Sequence, residues 1–197
     1  INFTASIFNA AFPAMILSRA SDGEQALGIV NAVKGVAMMA GSLLVSALPA
    51  PKSRVKVICR TLLFSMGTEN FLLAFSNSVP MWCLAEVLGW LVIPVMSGNM
   101  DVLFRSYIPV AMQGRVYSAR NTLQYFTIPL GYLAGGFLVD VVLEPLMARQ
   151  SAGSLLIRLF GEGKGSGAAM LFFLIGFLGL GTCIFFYRDP HIWKLEE

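Results

Sequence analysis

The sequence predicts an all-α membrane protein of six spanning helices, and three observations carry that prediction. Apolar residues fill 56% of the 197 positions and charged residues only 13%, against roughly 45–50% and about 25% in soluble domains. The excess falls in blocks of spanning length, roughly 20 residues each. Within those blocks the pattern is not that of a barrel strand: Met170 to Leu180 is apolar or glycine throughout, with no alternation of apolar and polar positions. A helix satisfies its own backbone in hydrocarbon, so the helix is the element that remains.

The six spans follow one another with short polar punctuation. The first runs from about Ile1 to Leu17 and looks clipped at its start, so the chain is expected to begin inside a longer protein. Ser18 to Glu24 forms a polar turn, and the second span covers Ala26 to Leu48, interrupted only by Lys34. Pro49 to Arg54 breaks the helix and brings in positive charge. The third span covers Val57 to Phe75, and the fourth runs from Met81 to Leu103 after the Ser76–Pro80 turn. A polar segment from Arg105 to Arg120 reads as a connection. The fifth span, Asn121 to Val139, carries no charge, and the sixth is Gly165 to Tyr187. Between the last two, the apolar island Leu155 to Phe160 is too short to cross and suits the interface. The sixth span is almost uniformly Leu, Phe, Ile and Gly, which predicts a helix facing lipid.

Lysine and arginine placement sets the orientation of such a bundle. Lys52, Arg54, Lys56, Arg60, Arg105, Arg115, Arg120, Arg188 and Lys194 fall on one side, nine in all; Arg19, Arg149, Arg158 and Lys164 make four on the other. The side with nine is expected to be cytoplasmic, placing both ends of this segment on the cytoplasmic side of the cell membrane.

Several function classes drop out. Three cysteines (Cys59, Cys83 and Cys183) and the lone His191 form no metal-ligating spacing, so no metal and no cofactor is expected. No intramembrane histidine, HExxH or GxSxG supports an enzyme, and no GxxxxGK[ST] loop supports an ATP-driven pump. No basic tract interleaved with aromatics points to nucleic acid.

What remains is polarity inside apolar helices, which is costly and therefore faces a bundle interior or a watery path. Asn2, Ser6, Asn9 and Pro13 recur at helical steps along one face of the first span. Glu86, Trp90, Pro94, Ser97 and Asp101 do so on the fourth, and Asn121, Gln124 and Thr127 on the fifth. Asn2, Ser6, Asn9, Trp90, Ser97, Asn121, Gln124 and Thr127 are accordingly the expected lining of a substrate cavity. Three ionisable groups, Lys34, Glu69 and Glu86, lie about 9–12 Å inside their helices at ~1.5 Å per residue. Equal depth permits contact. Two readings stand: one acid pairs with Lys34 while the other carries a proton, with Glu86 favoured as carrier, or the charges form a fixed pair holding helices together. Gly131 and Gly135, four apart, and Ala37 with Gly41 allow helices to approach closely.

Asp101–Arg105, Ile108–Ser118 with Gln113, Gly114 and Arg115, and Pro129–Asp140 together resemble the region around the last-but-one helix of major facilitator transporters. Met66–Ala74, with Glu69 and Asn70, adds to the likeness, which is nearest to the macrolide and multidrug efflux antiporters and their siderophore-exporting relatives. The resemblance implies that the chain is the C-terminal six-helix half of a twelve-helix bundle, working with an N-terminal half that is absent from the sequence. It implies a secondary transporter that exchanges protons for small amphipathic or hydrophobic compounds; the other readings are export of a siderophore or another metabolite, or an inactive fragment. It also implies that Asp101, Arg105, Gly114 and Arg115 form a cytoplasmic latch, where the alternative is that the arginines only set topology. The loop after the second span departs from the family pattern: Val45 follows Gly41 where an acid is common.

Overall fold

The computed structural model describes residues 2–151 and 153–194; Ile1, where the first predicted span begins, lies outside them. The described chain is helical, with no strand. Helix α1 is Asn2–Arg19, α2 Gly23–Ala47, α3 Arg54–Phe75, α4 Val79–Trp90, α5 Ile93–Tyr107 and α6 Val110–Phe137; a π-helical stretch, Leu138–Leu143, leads into α7, Glu144–Ala148, followed by α8, Leu155–Phe160, α9, Ser166–Arg188, and α10, Pro190–Trp193. Five stretches are long and apolar enough to cross a membrane: Gly23–Ala47, Arg54–Phe75, Val79–Tyr107, Val110–Ala148 and Ser166–Arg188. The expected first span is a helix too, but Asn2, Asn9, Pro13 and Arg19 leave α1 short of that apolarity.

The polar segment Arg105–Arg120 is helix rather than loop. Only Ile108 and Pro109 interrupt it: Ile108 is extended, as a residue before proline prefers, and Pro109 caps α6. Apolarity reports where hydrocarbon ends, and a helix does not have to stop there. The fourth span bends for a similar reason. Leu91 and Val92 separate α4 from α5, and Pro94, in the first turn of α5, cannot donate a backbone hydrogen bond to the turn before it.

Packing is tight at one end and open at the other. Phe8, Ala11, Phe12, Met15 and Ile16 of α1 join Leu73 of α3, Trp82 and Ala85 of α4, Leu143, and Ala169, Phe172 and Ile175 of α9 in one buried cluster. At that end Arg19 donates to the side-chain oxygen of Asn77 and to the carbonyl of Phe160, tying three connections together. Glu144 accepts hydrogen bonds from the backbone N–H groups of Gly165 (2.8 Å) and Gly167 (3.2 Å) at the start of α9, satisfying donors that a helix start leaves free. The opposite end, which carries the nine cations, has only Ile58, Leu62 and Met96 as its buried cluster.

Small residues explain how the helices come so close. A methyl group at Gly131 would lie 2.5 Å from the Ser6 Cβ, and one at Gly135 would lie 2.9 Å from the Ala10 Cβ, so α6 crosses α1 backbone to backbone. At Gly41 a methyl group would overlap the carbonyl oxygen of Leu91 at the α4–α5 break. Dispersion and close packing hold such contacts, because lipid removes most of the hydrophobic drive between helices.

The expectation for the sixth span needs correction. One face of the first half of α9 (Ser166, Gly167, Ala168, Ala169, Leu171, Phe172, Ile175 and Gly176) is buried, and exposure of large apolar side chains, beginning at Leu174, is concentrated beyond it at Phe177, Leu178, Ile184 and Phe185. Glycine and alanine there serve close helix approach, which a uniformly apolar composition cannot distinguish from lipid contact.

Candidate functional site

Four helices bring the intramembrane ionisable groups to one place. Phe8 and Phe12 are one turn apart on α1 and project to the same side, as do Glu86 and Trp90 on α4. Lys34 enters from α2 and Glu69 from α3. The ammonium of Lys34 lies 3.6 Å from Glu86 Oε2, with the Lys34 side chain 17% exposed and that of Glu86 fully buried. At 3.6 Å the pair attracts by charge but is long for a hydrogen bond. The same ammonium is 3.7 Å from the Trp90 ring centroid and 5.8 Å from those of Phe8 and Phe12. Trp90 in turn donates its indole N–H to Glu69 Oε1 at 2.8 Å. Glu69 is buried, and Gly89 makes room for it, since a methyl group at Gly89 would overlap its carboxyl.

The charge balance of this group is uneven. Two carboxyls within electrostatic reach of each other share one ammonium. Glu86 has the Lys34 ammonium at 3.6 Å and the Glu69 carboxyl as neighbours, with no hydrogen bond of good geometry to either of its oxygens, and buried charge is expensive unless it is compensated. A cluster with one cation and two acids can bind and release a proton.

The expected substrate cavity is divided. A cavity of about 870 Å³ opens between the start of α1 and helices α3, α5, α6 and α9, with Ile192 of α10 at its edge. Of the predicted lining residues, Asn2, Gln124 and Thr127 face it. Ser6 does not; it is buried in the α1–α6 crossing and donates to the Asn2 carbonyl at 2.8 Å. Trp90 belongs to the charge cluster, Asn9 is half-buried away from the cavity, and Ser97 and Asn121 are exposed. Face periodicity tells which residues share a side of a helix, but not which neighbour that side meets. Among the described residues no charged side chain lines the cavity, and the hydroxyls of Thr127 and Thr182 turn back onto their own helices, donating to Gln124 O and Leu178 O at 2.7 Å. Its wall is apolar with a few polar points.

Comparison with known proteins adds no relative. No family model matches the chain, and no curated protein or solved structure matches it.

At the cation-rich end Asp101 pairs with Arg120, 3.5 Å apart, and the Arg120 guanidinium stacks 4.5 Å above the Phe104 ring. Arg105, Gly114 and Arg115 are exposed, and among the described residues neither arginine forms an ion pair. The predicted group of four therefore does not assemble within this chain, and its acid takes a partner that was counted only toward topology. Arg54, also counted that way, donates to Asn99 at 3.0 Å. The signal for Arg120 lay in Pro109: the chain turns there, and the long Arg120 side chain reaches from α6 to Asp101 and Phe104 on α5. Near the chain end, Asp189 caps α10 by accepting from the His191 backbone N–H at 2.9 Å, and this bond with the nearby imidazole holds its carboxyl below the usual carboxylate range. Tyr107 donates to the Lys194 carbonyl at 2.9 Å, which fastens the tail to the same end.

Proposed function

We propose that this chain is one half of a secondary transporter of the major facilitator type, moving small uncharged amphipathic or hydrophobic compounds in exchange for protons. The observation that carries the proposal is the Lys34–Glu86–Glu69–Trp90 group: two carboxyls and one ammonium enclosed among helices of spanning length. In hydrocarbon such groups are costly unless they serve a path for ions or substrate. One ammonium balances one carboxylate, so the group as a whole holds one exchangeable proton. Glu86 is the exchanging acid in this reading: it is ionised while Lys34 faces it at 3.6 Å and takes up the proton when that pairing opens, whereas Glu69 is held by Trp90. The cavity of about 870 Å³, whose described lining is apolar with a few neutral polar groups, supports an uncharged cargo. The nine-cation end is cytoplasmic by the positive-inside rule, and Asp101 with Arg120, Arg105 and Arg115 meets the partner half there.

Cells expressing the full gene and loaded with a neutral fluorescent lipophile such as Nile red test this reading. Efflux should fall to the passive rate when an uncoupler collapses the proton gradient. Efflux indifferent to the uncoupler would refute proton exchange.

A further inference from the structure

The surroundings of the Lys34 ammonium are those of an aromatic cation site. Three rings and a carboxylate surround it, with Trp90 at 3.7 Å and Glu86 Oε2 at 3.6 Å as the nearest walls. Ammonium ions bind over aromatic faces within about 6 Å of the centroid, most strongly over indole. The decisive feature is that the walls are held by contacts that do not involve Lys34. Trp90 is fixed by Glu69 at 2.8 Å. Phe8 stacks on Phe12 with centroids 5.3 Å apart and packs against Phe172 at 5.0 Å. Glu86 is fully buried on α4 beside the carboxyl of Glu69, a neighbour other than Lys34. The cage is thus preformed, whereas Lys34 reaches it on a flexible stem from α2, whose neighbours Gly35 and Val36 are exposed.

We infer that this cage is a binding site for a primary alkylammonium ion, that Lys34 fills it from within the chain, and that Lys34 thereby keeps external organic cations out. A tethered ammonium competes at a high effective concentration that a dissolved amine does not reach. Its removal as Lys34→Ala leaves a space of three carbons and one nitrogen, which is the shape of propylammonium. For transport the consequence is a selectivity device that bars amines and leaves the path to uncharged compounds. That consequence rests on the proposed function; occupancy of the cage does not.

Equilibrium titration of the purified full-length gene product with propylammonium, read by Trp90 fluorescence, tests the site without any transport step. Lys34→Ala should half-saturate at a concentration at least about ten-fold lower than the wild type, in line with one cation–π contact plus one ion pair. 1-Propanol, of the same shape without the charge, should not bind, and Lys34→Ala/Glu86→Gln, which removes the anionic wall and keeps Trp90 as reporter, should need a propylammonium concentration at least about ten-fold higher than Lys34→Ala. Should Lys34→Ala not be recovered folded, Lys34→Ser, which frees nearly the same space, carries the same expectation. Equal half-saturation in wild type and variant, absence of binding to the variant, or equal binding of 1-propanol would each overturn the inference. Efflux that ignores an uncoupler would refute proton exchange and leave this result untouched.

Discussion

Two ion pairs of nearly equal length occupy opposite surroundings in this molecule. Lys34 and Glu86 are 3.6 Å apart with 17% and 0% of their side chains exposed, whereas Arg120 and Asp101 are 3.5 Å apart with 22% and 52% exposed. Distance alone would rank them equal. Solvent separates them: water and salt screen the second pair to roughly 0–1 kcal/mol, while the first has lost most of its hydration and depends on its partners for compensation. The inner pair is therefore suited to holding a protonation state, and the outer pair to being made and broken as surfaces move.

Replacing one member of each pair should expose this difference most sharply. Lys34→Met leaves Glu86 buried without its cation and should destabilise the protein by about 3–5 kcal/mol, measured by denaturant unfolding in bicelles. Adding Glu86→Gln to that variant should recover most of the loss, because both charges are then gone. Next in size is Gly41→Ala, at up to about 3 kcal/mol. Its new methyl group meets the Leu91 carbonyl, pushing α2 from α4 and loosening the Lys34–Glu86 pair with it. Trp90→Phe keeps a ring over the ammonium but strands a buried Glu69 oxygen, at a cost of about 1.5 kcal/mol. Asp101→Asn should cost less than about 1 kcal/mol, and the difference from wild type should shrink further in high salt. A loss for Asp101→Asn equal to that for Lys34→Met would abolish the distinction between the pairs.

The same contrast marks what could be read in the sequence. Lys34, Glu69 and Glu86 stand out because charge inside an apolar block is rare, and counting residues from the helix ends put them at one depth; the structure brings them together. Trp90 was legible as a neighbour of Glu86 through the helical step of four, but its bond to Glu69 requires knowing that α3 packs beside α4. At the polar end the signal weakens. Charges there are plentiful, and the resemblance pointed to Arg105 and Arg115 as partners of Asp101, whereas Arg120, counted only toward topology, is the one that lies beside it. Helix ends failed for a related reason, as at Val110, since hydropathy marks the hydrocarbon boundary and helices continue past it. The burial of α9 was hidden because Gly167 and Ala169 look alike in lipid and in a close crossing.

The central claim is that the inner group, and not the outer pair, carries the proton. Its most direct test is transport by the reconstituted full-length gene product in liposomes under an imposed pH gradient, comparing Glu86→Gln with Asp101→Asn. The account predicts that Glu86→Gln loses gradient-driven movement of a neutral lipophile while Asp101→Asn retains a response to the gradient. Gradient-driven transport that survives in Glu86→Gln would contradict it.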